Sequence, residues 1–186
     1  VARVSDRKQF PDVKQIVIFG HSGGAQVVQR YALLAQEQPA LKTEGIRLRY
    51  VVANPSSYAY FNEQRPVAFD HAKCPGFNRW KYGLMDPPIY SGGQTPAQLE
   101  GRYVKREVIY LLGQQDTDPQ HPALDKSCAA KAQGAYRLER GKLFFGYLLR
   151  RHPEGVNQRL IEVPGVGHNG DGMLTSPEGQ KALFEQ

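Results

Sequence analysis

Residues 15–24 read Gln15-Ile16-Val17-Ile18-Phe19-Gly20-His21-Ser22-Gly23-Gly24. A run of β-branched and aromatic residues suited to a strand ends in G-x-S-x-G, and a helical pattern begins at once. That order predicts a strand, a tight turn and a helix, with the Ser22 hydroxyl lifted onto the turn. Gly20 and Gly24 are expected to keep bulk away where the strand and helix backbones come close. Downstream, Ala25 to Gln36 reads as an amphipathic helix. Val27, Val28, Tyr31, Ala32, Leu34 and Ala35 share one face at helical spacing. The plainer alternative is a glycine-rich turn whose serine only caps the helix.

A serine hydroxyl is a poor nucleophile unless a base takes its proton and a third group orients the base. Two later segments supply such groups. Val108-Ile109-Tyr110-Leu111-Leu112 reads as a strand and runs into Gly113-Gln114-Gln115-Asp116. Leu160-Ile161-Glu162-Val163 reads as a second, and runs into Pro164-Gly165-Val166-Gly167-His168-Asn169-Gly170. An acid and a histidine just past strand ends lie on the same sheet edge as a serine just past another. Asp118 competes with Asp116, and Asp-Thr-Asp-Pro is also turn chemistry. Asp116 is preferred as the first acid beyond the strand, where the backbone is still fixed. The other histidines are less well placed: His21 is expected to point away from the elbow, and His71, His121 and His152 follow no strand end.

Strands are expected near 14–19, 47–53, 107–112 and 159–163, and helices near 25–37, 123–150 and 177–185. Strands alternating with helices imply an α/β fold, a parallel sheet with helices on its faces. At 186 residues the chain suits one domain with a substantial core. Strand 14–19 is expected at an open edge, where it can pair with another chain, so self-association is an expected property. Residues 56–106 join two strands but are too long for an ordinary loop. This insertion is rich in proline and aromatics, and is expected to fold as an irregular cap over the catalytic edge. A satellite core beneath a long loop is the competing expectation.

The net charge is +6. Basic residues and acids mix along Arg137, Glu139, Arg140 and Lys142, which reads as a solvated face rather than a nucleic-acid surface. A basic rim suits anionic substrates or surfaces. The apolar runs are far shorter than the ~20 residues of a membrane-spanning helix. No phosphate loop, dinucleotide fingerprint or metal motif is present, so neither cofactor nor metal is expected.

The elbow Gly-His-Ser-Gly-Gly, the acid turn Gly-Gln-Gln-Asp and the Gly-Val-Gly-His loop together resemble the C-terminal part of an α/β-hydrolase, from about Val13 to Phe184. The resemblance implies a three-layer αβα parallel sheet and a carboxylic ester hydrolase. It implies Ser22 as nucleophile, Asp116 as acid, His168 as base, and the Gly23 amide as an oxyanion donor. Amide or thioester cleavage and acyl transfer use the same three residues, and a hydrolase-like fold can also serve only for binding. In the family several strands precede the elbow, whereas 21 residues precede Ser22 here and the first residue is Val. The chain is therefore expected to be a fragment that lacks the N-terminal strands and the second oxyanion donor. Asn54-Pro55-Ser56-Ser57-Tyr58 and the run from Cys74 to Gly83 resemble exported members, secreted or periplasmic. On that resemblance Cys74 and Cys128 are expected to form a disulfide between the cap and the scaffold. Two buried thiols are the alternative.

Overall fold

Four runs dense in Val, Ile, Leu and Tyr form four parallel strands, each followed by helical chain. The computed structural model describes residues 2–36 and 38–185. Strand β1 (Gln15–His21) leads into helix α1 (Gly23–Leu34), α2 (Pro39–Thr43) and β2 (Arg47–Ala53). The long insertion follows and contains α3 (Pro96–Tyr103). Next come β3 (Glu107–Gly113), α4 (Cys128–Lys131), α5 (Arg137–Arg151), β4 (Gln158–Val163), α6 (Gly170–Thr175) and α7 (Pro177–Phe184). The expected end of the first helix at residue 37 lies outside the described residues.

The spatial order of the strands is the chain order, β1-β2-β3-β4, and every pairing is parallel. In register, Phe19 lies beside Val51, Val51 beside Ile109, and Ile109 beside Arg159. Period-two alternation divides the strand side chains between two cores. Tyr50, Val52, Val108 and Tyr110 pack with residues of α1, α3 and α5 on one face. Val51, Ala53, Ile109 and Leu111 pack with Met173 of α6 and Ala182 of α7 on the other. The result is the expected three-layer α/β architecture. Among the described residues, β1 and β4 form the two sheet edges.

Three expectations need correction. The helix expected over 123–150 is two helices: the Ser127 hydroxyl caps α4 by accepting from Ala130 N, and Gly134 (φ 142°) turns the chain before α5. On α1 the buried face is Ala25, Val28, Gln29, Ala32 and Leu33, whereas Val27 is 68% exposed and Tyr31 half-exposed. The spacing i, i+3, i+4, i+7, i+8 selects the sheet-facing stripe, and Val27 and Tyr31 fall on its flank. Arg137 and Arg140, read as part of a solvated face, are fully buried.

The insertion is largely core at its two ends. Tyr58 stacks on Phe144 of α5 with ring centroids 4.5 Å apart, and Tyr60 meets the same ring edge-on at 5.1 Å. The Tyr103 and Tyr110 hydroxyls lie 2.7 Å apart, and Tyr110 donates on to Gln158 Oε1 at 2.7 Å. Between these ends, a disulfide joins Cys74 to Cys128 at the start of α4. Phe77 and Ala129 pack against it, with Phe69 and Tyr82 at the edge of the cluster.

Candidate functional site

Ser22 sits where β1 becomes α1, with φ 55° and ψ −116°. A positive φ is costly for a residue with a Cβ, and such strain collects at functional turns. Two features hold it there. Ser22 N donates to Ala53 O at the end of β2 (2.9 Å), and a Cβ on Gly20 would overlap the Gly24 carbonyl. At Gly24 a Cβ would meet nothing within 4 Å, so the crowding expected of both glycines exists only at Gly20. The Ser22 side chain does not cap α1; it faces the β4 loop instead.

Asp116 follows β3 on a turn closed by Asp116 N donating to Gly113 O (3.1 Å). Its carboxylate is 2% exposed. Asp118, the competing acid, is exposed and accepts from Gln120 N at 2.8 Å, which is the turn chemistry of its sequence. His168 lies on the glycine-rich loop beyond β4. Its Nδ1 is 2.8 Å from Asp116 Oδ2, and its Nε2 is 2.9 Å from Ser22 Oγ. A carboxylate only accepts, so Nδ1 carries the proton toward Asp116, and Nε2 is left to accept from the serine hydroxyl. The structure thus brings Ser22, Asp116 and His168 into one hydrogen-bonded line. The Gly23 N–H belongs to the first turn of α1, where helix amides have no intrahelical partner.

The surroundings hold groups that the sequence reading passed over. Arg137 Nη1 donates to the outer oxygen of Asp116, Oδ1, at 3.2 Å. The same guanidinium donates through Nε to Ser56 Oγ (3.2 Å), and its Nη2 lies 3.5 Å from His121 Nδ1. Burial pulls the Arg137 pKa down while Asp116 pulls it back up. A signal for this residue existed. Arg137 and Arg140 fall in the buried stripe with Gly141, Phe144, Tyr147 and Leu148, and a charge in such a stripe demands a buried partner. His21, expected to point away, has its ring 4.6 Å from that of His168, because the elbow turns it against the returning loop. The His121 ring lies 4.9 Å from His168 on another side. Burial, followed by the charge of His168, lowers the His21 pKa; burial, followed by Arg137, lowers that of His121. His71 stacks on Phe69, and His152 binds Glu100, both in other contacts. Among the described residues no group of three or more His, Cys, Asp or Glu side chains is arranged to hold a metal ion.

No protein-family model matches the chain, and no curated protein gives a significant match. Solved structures do match. Poly(aspartic acid) hydrolase-1 from Sphingomonas sp. KT-1 is 29% identical with a TM-score of 0.69, over 96% of this chain and 59% of that one. LpqC, a poly(3-hydroxybutyrate) depolymerase from Bordetella parapertussis, is 23% identical with a TM-score of 0.66, over 97% of this chain and 58% of that one. The chain shares the α/β-hydrolase fold of these neighbours. It spans less than two thirds of the length of either neighbour. Within the α/β-hydrolase fold, the serine, acid and histidine loops all leave the carboxyl edge of one parallel sheet, where ligands of open α/β sheets bind.

Proposed function

We propose that the chain is a serine hydrolase that cleaves a carboxylic ester through an acyl-enzyme on Ser22. The observation that carries this reading is the line Ser22 Oγ–His168 Nε2–Asp116 Oδ2, with links of 2.9 and 2.8 Å. His168 Nε2 removes the hydroxyl proton as Ser22 Oγ attacks the ester carbonyl. The carbonyl oxygen gains charge and receives a hydrogen bond from the Gly23 N–H. His168 then gives its proton to the leaving alcohol, and the acyl group stays on Ser22. Water, deprotonated by the same nitrogen, releases the acid and restores the hydroxyl. Asp116 takes no proton; it fixes the imidazole tautomer and stabilises its cation.

A polymer is the favoured substrate class, since both structural neighbours carry polymer-degrading names. The 29% identity to a poly(aspartic acid) hydrolase supports a second reading, cleavage of an amide in an acidic polymer, and the net charge of +6 suits such a partner. An oxidising, exported setting fits the Cys74–Cys128 disulfide. The test is labelling with a fluorophosphonate, read by intact mass, followed by turnover of soluble polyester and poly(aspartic acid). One adduct on the wild type and none on Ser22→Ala is expected. A folded wild type that takes no adduct refutes the nucleophile. Polymer turnover by Ser22→Ala at the wild-type rate refutes the whole mechanism.

A further inference from the structure

We propose that the turn Asn54-Pro55-Ser56-Ser57 is the positioning element of this site, with Asn54 its principal residue; the inference rests on the hydrolase reading above. The problem it solves is distance. Ser22 follows β1 and His168 follows β4, strands separated by three spacings of about 4.8 Å, or about 14 Å. The β4 loop must therefore return across the ends of β3 and β2 to bring His168 over Ser22. It crosses on two supports. Gln115 N donates to Val166 O at 2.9 Å above β3. Asn54 Nδ2 donates to Gly167 O at 3.3 Å above β2, one residue before His168.

Asn54 also holds the other two arms. Its Oδ1 accepts from Gly113 N at 2.8 Å, which fixes the root of the Asp116 turn. The preceding carbonyl, Ala53 O, accepts from Ser22 N at 2.9 Å. Two adjacent residues thus fasten the serine, acid and histidine loops to the end of one central strand. The serines extend the clamp. Ser56 Oγ accepts from Arg137, which holds Asp116. Ser57 Oγ donates to Gln26 Oε1 at 2.9 Å, and Ser57 O accepts from Arg30 Nη1 at 2.8 Å, both on α1 within its first turns after Ser22.

Asparagine fits the position twice over. The side chain is fully buried and must accept on one side and donate on the other, which a planar amide does and a carboxylate or an alkyl group does not. Its backbone has φ 49°, in the left-handed region that asparagine tolerates better than other residues with a Cβ.

Asn54→Gly suits that φ and removes both bridges, so it separates positioning from backbone strain. Misplacement of reacting groups by about 1 Å costs on the order of 10²-fold in rate. We expect fluorophosphonate labelling and kcat for ester turnover to fall by that order, with KM unchanged. The low-field proton resonance of His168 Nδ1–H against Asp116 should weaken or vanish in Asn54→Gly and persist in Ser22→Ala. A purely structural role would lower the melting temperature but leave kcat and that resonance intact. A folded Asn54→Gly that labels at the wild-type rate overturns the inference. If the wild type itself takes no label, the hydrolase reading fails and the proton resonance decides: its loss in Asn54→Gly upholds the positioning role, and its persistence overturns it. If Asn54→Gly does not fold, Asn54→Asp, which keeps the acceptor for Gly113, is judged by the same readouts.

Discussion

Replacing Arg137 with methionine, a side chain of similar length, removes a charge from a buried position. The guanidinium is fully buried, and its partner Asp116 is 2% exposed. Without Arg137, Asp116 keeps only its bond to His168 on one oxygen, and Oδ1 becomes a buried acceptor facing an alkyl chain. Breaking a buried ion pair by removing one partner costs about 3–5 kcal/mol. For a chain of this size each kcal/mol shifts the melting temperature by roughly 2–4 °C, so Arg137→Met should melt about 6–20 °C lower. Urea denaturation of the four members of a cycle, wild type, Arg137→Met, Asp116→Asn and the double variant, isolates the pair. Because the double variant leaves no orphaned charge, it should be more stable than the sum of the single losses predicts, by about 0.5–3 kcal/mol. A loss under about 1 kcal/mol for Arg137→Met, or strict additivity in the cycle, would refute the claim that this pair holds the acid in place.

Gly20→Ala should lose about 1–3 kcal/mol and most fluorophosphonate labelling, because its Cβ overlaps the Gly24 carbonyl. Gly24→Ala, opening onto free space within α1, should instead gain up to about 1 kcal/mol in urea denaturation. Reducing Cys74–Cys128 frees a loop spanning 54 positions, for which chain entropy gives about 4 kcal/mol. Paired denaturation curves with and without reductant measure it, and coincident curves would exclude a stabilising role. His21 and His121 have lowered pKa values in the folded chain, so below the ordinary value of ~6.5 the unfolded state binds more protons. Their contribution is complete above that pH and is lost as pH falls through the folded values. Stability should decline from pH 7 to 5, and His21→Asn with His121→Asn should flatten that decline; an unchanged slope would contradict the assignment.

The strands and the three site loops were legible in the chain because each strand is a short run rich in Val, Ile, Leu, Phe or Tyr stopped by glycine, by Asn54-Pro55 or by Pro164-Gly165. Position just past a strand end then ranked Asp116 and His168 against their competitors. What failed to show had a tertiary cause. Tyr58, Tyr60 and Tyr103 look like loop aromatics until α5 and β3 are beside them. The break between α4 and α5 depends on Gly134 at φ 142°, a conformation not visible in a pattern of apolar residues. Helix α3 did leave a signal in Thr95-Pro-Ala-Gln98, a capping box whose two bonds are both made. Arg137 and Asn54 act through partners 16 to 113 positions away; the helical stripe marks Arg137 as buried, but nothing local in the chain names its partners.

The insertion leaves β2 through residues already locked to all three site loops, and it returns through α3, which packs on α1. Its middle, residues 62–95, is moored by Cys74–Cys128 and by Arg30 of α1, which donates to Lys81 O. A change of length or composition in that middle stretch meets fixed chain before it can reach Ser22, Asp116 or His168. Such an arrangement decouples variation from chemistry: exposed positions between residues 62 and 95 can be varied, with Cys74, Phe77, Lys81 and Leu84 kept, while the reactive geometry is inherited intact. Selection libraries confined to that window should yield folded, labelled proteins at far higher frequency than libraries that touch residues 54–57.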